Sequence, residues 1–364
     1  MIDDLVLCGS SRTMGCPMDR RAFLTGALAS PLLPGQALAQ GKVLAGDMHF
    51  HSFFGGSRYH SRPLAKTLTA GNTTLAAWSL VGDLLWFDVK TYIQKAVPRT
   101  GEALGWFQRE LARIKAHVVE QNLKVVRGPA DVDRALGGEP HIVLAVEGAN
   151  FIETDISRIS AGHRLGLRQL QLVHYTRNTM GDLQTEPPEH RGLSPLGKQV
   201  VRECNRRGIL VDLAHSTEAT VIDALSVSRA PIVWSHGSVA RAASASSSAP
   251  VWRRRQLSLD VAKEIARKGG VVGLWSLTSD IGRTAESYAD RMLELAGWLG
   301  DEHVAFGTDI NGLGPYGLLS GHGDLQRVVE HWRRQGVDEA RIGKLAIGNY
   351  ARVLKLALQP VEGK

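Results

Sequence analysis

Seven side chains that can bind a cation or carry a proton stand at the ends of apolar runs: His49, His51, Glu147, His174, His215, His236 and Asp309. His49 and His51 flank Phe50, and residues two apart on a strand project to the same side, so both imidazoles can face one ion. Asp47 shares that period and is either a third inward group or an acceptor for a ring N–H behind the ligands. Glu147 follows Leu144-Ala145-Val146. A carboxylate buried there unpaired would be costly, so it calls for a cation. Separate structural reasons would be needed to place seven such groups one by one; a shared cation site needs one.

The elements that must hold these groups are visible around residues 209–237. Ile209 to Leu213 and Pro231 to Trp234 are apolar, β-branched runs, and the segment between them has helical periodicity with Ser216 as the expected N-cap. A strand, helix, strand unit of this size makes the strands parallel neighbours and puts His215 and His236 at their carboxyl ends. Strand-like runs recur at 43–53, 73–81, 141–150, 167–175, 209–216, 230–237, 269–276 and 303–312. Between most of them lie helical patterns, such as Leu104, Phe107, Leu111, Ile114 and Val118. Others are Leu196 to Cys204 with Gly208 as the stop, Val261 and Ile265 before Gly269, and Met292, Leu295 and Leu299. Residues 342–358 read as a closing helix. Eight strands alternating with helices predict an α/β fold, a (β/α)₈ TIM barrel with its metal site at the carboxyl ends of the strands. The second run can also be read as a helix through Ala76-Ala77-Trp78, and the serine-rich residues 244–248 as a loop at the barrel mouth.

Composition is that of a globular enzyme-sized chain: 364 residues, 43% hydrophobic and 22% charged. The net charge of +7 comes from residues after 39, because the first 39 hold three acids and three bases. Apart from Arg253, Arg254 and Arg255 the cations are scattered, which argues against a nucleic-acid groove and for a mild attraction to anionic ligands. Arg20-Arg21, an apolar stretch and Ala37-Leu38-Ala39 form a twin-arginine signal with an A-x-A cleavage site. They predict export to the periplasm or medium by the twin-arginine machinery, with residues 1–39 as upstream segment and signal and 40–364 as one domain. The apolar stretch is too short to span a bilayer, and no later one qualifies. Cys8 and Cys16 precede the cleavage site, leaving Cys204 as a single buried thiol with no internal disulfide to form.

The chain resembles the membrane (renal) dipeptidases, metallopeptidase family M19, within the amidohydrolase-like barrels. The resemblance rests on Val146-Glu147-Gly148, Gly192-Leu193-Ser194 with Gly197 to Glu203, Val211 to Ser216, Ser235 to Ser238, Gly269 to Gly273, His303 to Asp309 and Gly348-Asn349-Tyr350. It covers about 47–354 and is thin over 54–140. Members of that family bind two zinc ions bridged by a glutamate and hydrolyse dipeptides. By position, the resemblance implies that Glu147 bridges two divalent ions. His49 and His51 would hold one, and His215 and His236 the other. His174 would contact the substrate or its oxyanion, and Asp309 would handle protons. Arg255, with Arg254 as the alternative, would clamp the substrate carboxylate. One departure stands out: the family's usual aspartate at the second position of the first motif is His51 here, which removes one negative charge beside that ion.

The expected chemistry is therefore attack of a metal-bridging hydroxide on an amide carbonyl. His174 would steady the oxyanion and Asp309 would carry the proton to the leaving amine. Other readings of the same residues are hydrolysis of another small amide, lactam or lactone, and a catalytically silent metal-binding barrel. The assembly is left open, a homodimer included.

Overall fold

A computed structural model describes residues 42–52, 63–241 and 249–361. The twin-arginine segment, its cleavage site, Cys8, Cys16, the end of the first predicted strand and the serine run 244–248 lie outside the described residues. From Lys42 onward the chain is one compact unit.

All eight predicted strands form. They are β1 (Ala45–Phe50), β2 (Thr73–Val81), β3 (His141–Glu147), β4 (Leu167–Gln171), β5 (Leu210–Asp212), β6 (Val233–Trp234), β7 (Val271–Leu274) and β8 (Val304–Phe306). Each pairs in parallel with the next. The ring draws shut where Asp309 N–H donates to the His49 carbonyl (3.0 Å) and His51 N–H to the Ile310 carbonyl (2.9 Å). This is the barrel read from the sequence. The ambiguous second run is a strand: all nine of its residues are buried, as expected of a parallel strand covered on both faces.

Several strands are shorter than their apolar runs. Backbone pairing in β5 and β6 ends before His215 and His236, so both histidines sit where the chain turns away from the ladder. His215 (φ 70°) and Asp309 (φ 53°) take left-handed backbone there, an unusual conformation for such residues and a frequent one at functional sites.

Two apolar layers fix the barrel. Inside, Met48, Leu75, Val143, Leu210, Val271 and Ala305 meet Ile347, Tyr350 and Leu354 of the closing segment. That segment is not the single helix expected: a π-helical turn, Lys344–Gly348, separates Glu339–Gly343 from Asn349–Ala357. Asn349 Nδ2 ties it to the carbonyls of Asp301 (2.6 Å) and Val304 (2.8 Å). Outside, helices such as Glu102–Glu120 bury Phe107, Leu111, Ile114 and Val118 against the sheet.

The helix after β5 starts one residue later than predicted. Thr217 is its N-cap and accepts from Thr220 N–H (3.3 Å), while the Ser216 hydroxyl is buried without a partner. Cys204 is a buried free thiol on helix Pro195–Arg207. Burial pushes its pKa up, away from the reactive thiolate. No helix among the described residues is long and apolar enough to cross a membrane.

Candidate metal centre

The strand ends bring all seven residues together around one carboxylate. Glu147 Oε1 lies 3.6 Å from His49 Nε2, 3.2 Å from His215 Nε2 and 3.4 Å from His236 Nε2. Its Oε2 lies 3.5 Å from His51 Nε2 and 3.4 Å from His174 Nε2. Asp309 Oδ1 stands 3.4 Å from His51 Nε2. All seven are buried. Two pairs of imidazoles meet nose to nose through their Nε2 atoms, His49 with His51 at 3.0 Å and His215 with His236 at 3.1 Å.

Groups behind the rings orient them. The His51 Nδ1–H donates to the Ser79 carbonyl (2.8 Å), which turns its Nε2 toward Glu147 and Asp309. His49 Nδ1 meets the hydroxyls of Ser79 (3.0 Å) and Ser235 (3.4 Å), and Ser235 Oγ also meets His236 Nδ1 (3.0 Å). Ser235 can occupy that place because residues 273 and 307 are glycines; a Cβ at either would collide with its carbonyl. His174 Nδ1–H donates to Asp83 Oδ1 (2.6 Å), while Asp83 Oδ2 accepts from the N–H groups of Tyr175 (3.1 Å) and Thr176 (2.7 Å).

Asp47 is not among the converging groups. Its carboxylate accepts from Thr308 N–H (3.0 Å) and Thr308 Oγ1–H (2.6 Å), and meets His322 Nε2 at 3.1 Å. It anchors β8 to β1 behind the ligands, and its ring partner is His322, a residue given no role from sequence. Asp83, Ser79 and Ser235 were also missed.

Protonation follows from burial. Desolvation, then neighbouring positive charge, drives His49, His215 and His236 well below the ordinary imidazole range. They are neutral, with lone pairs to give. Burial also disfavours charge on His51, but the neighbouring carboxylates of Asp309 and Glu147 outweigh this and raise its pKa. Burial raises Glu147, opposed by His174 and His51.

This donor set suits divalent cations. His49, His51 and Asp309; His49, Glu147 and His236; and Glu147, His174 and His215 each gather ligand atoms within 4.8 Å of one another. The sets overlap at His49 and Glu147. Asp309 Oδ1 is buried without a hydrogen-bond donor, as a carboxylate oxygen awaiting a cation would be. Asp309, read from sequence as a proton carrier, and His174, read as a substrate contact, thus also lie within ligand reach.

Above the centre opens a cavity of about 1030 Å³. Arg255 lines it, placed between helix Val251–Arg254 and the short strand Gln256–Leu257. Its Nη2 reaches His236 Nε2 (3.1 Å) and its Nη1 donates to Tyr175 Oη (3.0 Å). The guanidinium lies 5.8 Å from the Tyr175 ring and 5.2 Å from that of Trp275. Among the described residues no carboxylate pairs with this buried cation. Arg254 points elsewhere, donating to the Thr185 carbonyl (3.3 Å).

The family model for membrane dipeptidase, Peptidase family M19, matches residues 69–361. The chain belongs to the membrane dipeptidase family. It is 31% identical over 222 residues to dipeptidase tcpJ of Claviceps purpurea, covering 58% of this chain and 50% of that protein. To dipeptidase aclJ of Aspergillus oryzae it is 30% identical over 224 residues, 58% of this chain and 50% of that one. It therefore spans about half the length of these membrane dipeptidase relatives. Among solved structures, a metallopeptidase of Rhodobacter sphaeroides liganded with a phosphinate mimic of L-Ala-D-Ala superposes with a TM-score of 0.72 at 20% identity, covering 87% of this chain and all of that one (100%). The probable dipeptidase PvdM of Pseudomonas aeruginosa gives 0.72 at 18% identity over 88% and 96% of the two chains. These two likenesses establish the fold.

Proposed function

We propose that this protein is a metal-dependent dipeptidase holding two divalent ions, zinc the first candidate, with Glu147 shared between them. The observation that carries this reading is the convergence of five imidazoles on the Glu147 carboxylate, with Asp309 beside His51. Bound divalent ions would polarise the amide carbonyl and make water a nucleophile near neutral pH. Arg255 supplies the buried cation that a dipeptide's terminal carboxylate needs. His174, held through Nδ1 by Asp83, would contact the oxygen that gains charge as water attacks. Asp309 takes the proton of that water and returns it to the leaving amine, so that one amide and one water give two amino acids.

The test is metal analysis of the purified chain together with a panel of dipeptides, lactams and lactones. Dipeptide hydrolysis that chelation abolishes and divalent metal restores is the expected result. Metal without turnover of any dipeptide would sink the assignment, and cleavage of lactams or lactones alone would redirect it. We also propose export by the twin-arginine route. A tagged chain should reach the periplasm, and Arg20→Lys with Arg21→Lys should hold it back.

A further inference from the structure

We propose that the loop after β2 is the specificity element of this site. It favours dipeptides with bulky apolar or aromatic side chains over those with small or basic ones. The proposal rests on the dipeptidase reading above. Among the described residues, the carboxylates lining the cavity are Glu147 and Asp309, both engaged at the cation site, whereas Lys90 and Arg255 add two positive charges. A basic side chain finds no partner there. An apolar one finds a wall: the rings of Phe87 and Tyr92 stand 5.2 and 4.9 Å from that of Tyr175, whose hydroxyl accepts from Arg255. A carboxylate held by Arg255 therefore lays its neighbouring side chain along a continuous aromatic surface. At the rim, Val89 and Tyr316 are each 58% exposed while still lining the cavity, apolar surface that a bulky ligand would cover. The cavity itself, about 1030 Å³, is at the upper end for small-ligand sites.

The loop is built to present Tyr92. Its φ of 58° is a conformation that a bulky side chain holds only when its surroundings over-determine it. Asp88 does so. Tyr92 N–H donates to the Asp88 carbonyl (2.7 Å) and Asp88 N–H to the Ile93 carbonyl (2.9 Å). The Asp88 carboxylate accepts from the N–H groups of Lys90 (2.8 Å) and Thr91 (2.9 Å). Farther out, Gln94 Oε1 accepts from Arg177 N–H (3.1 Å), fastening the loop to the segment after β4.

Steady-state kinetics with leucylphenylalanine, alanylalanine and lysylalanine test this, each enzyme serving as its own reference. In the unmodified protein, kcat/KM for leucylphenylalanine should exceed that for alanylalanine by roughly tenfold or more, with lysylalanine lowest. Tyr92→Ala should bring the first ratio toward one, chiefly through KM, whereas Tyr92→Phe should preserve it. Should Tyr92→Ala not fold, Val89→Asp, at an exposed position, should lower leucylphenylalanine relative to lysylalanine. Equal efficiencies in the unmodified protein, or a Tyr92→Phe variant as indiscriminate as Tyr92→Ala, overturns the proposal. Calorimetric Kd values for the three dipeptides on metal-loaded protein separate it from the dipeptidase reading. Tighter binding of leucylphenylalanine supports the subsite even without hydrolysis, and equal binding refutes it even with hydrolysis.

Discussion

The two oxygens of Glu147 face unlike surroundings. Around Oε1 stand His49, His215 and His236, three imidazoles that burial keeps neutral; the hydroxyls of Ser79 and Ser235 back His49 and His236, while His215 Nδ1 is buried without a partner. Around Oε2 stand His51 and His174, and each of these has a carboxylate of its own, Asp309 for the first and Asp83 for the second. Neutral ligands with fixed lone pairs suit the holding of a cation. Imidazole and carboxylate pairs suit the movement of charge and protons during a reaction. The difference sets neutral imidazoles on one side against imidazole and carboxylate pairs on the other, both within the donor sets that a pair of cations would need. His51 in place of the family's aspartate sharpens the contrast. Asp309 stands 3.4 Å from the imidazole that replaces that aspartate.

Glu147 belongs to both sides, so its loss has the largest effect. Glu147→Gln should take bound metal well below that of the unmodified protein and turnover to the detection limit, by elemental analysis and dipeptide assay. Asp309→Asn comes next. It should cut kcat by roughly 10² to 10⁴ with metal content kept. Loss of metal along with turnover would move Asp309 from proton carrier to ligand and erase the contrast between the two sides. Asp83→Asn should be milder, on the order of 10- to 100-fold in kcat with KM and metal content little changed, because it loosens His174 and leaves the Oε1 ligands alone. A drop in metal content in this variant would show that His174 grips metal rather than substrate.

Much of this centre was legible because its members are costly residue types placed after apolar runs. Glu147 and His215 are conspicuous for that reason. Asp83 follows Leu80-Val81-Gly82 in the same manner and was open to the same argument, but its partner His174 lies 91 residues away and gives it meaning only in the fold. Ser79 and Ser235 carry no such signal, since a serine on a strand is ordinary until an imidazole is found against it. Tyr92 depends on a left-handed backbone angle that tyrosine does not announce. The strands were legible as apolar, β-branched runs, yet their lengths were not. Leu213 and Ala214 are as buried as the paired residues of β5, and hydrophobicity does not distinguish a paired residue from one that has turned toward the site.

Asp212 underlies the side of neutral imidazoles, and its substitution should have the smallest effect on activity while exposing how that side is supported. Its Oδ1 accepts from the N–H groups of Ala214 (3.1 Å) and Ser235 (3.0 Å), and its Oδ2 from Gln169 Nε2 (3.1 Å). Those bonds brace the segments leading to His215 and His236. Burial still wins, pushing the carboxyl up from 3.8 to about 6. Between those two values the folded chain binds more protons than the unfolded one, so this group's contribution makes stability fall as pH rises through the window. The loss is complete above about pH 6 and amounts to about 3 kcal/mol, from a shift of roughly two pH units at 1.36 kcal/mol each. Asp212→Asn removes the titration. It also turns an amide N–H toward either Gln169 or the backbone donors, a cost that does not vary with pH. Denaturation of the metal-free protein from pH 4 to pH 7 should therefore find the variant at its greatest disadvantage near pH 4 and closest to the parent near pH 7. A constant difference across that range would mean that Asp212 is ionised throughout, held by its three donors against the pull of burial.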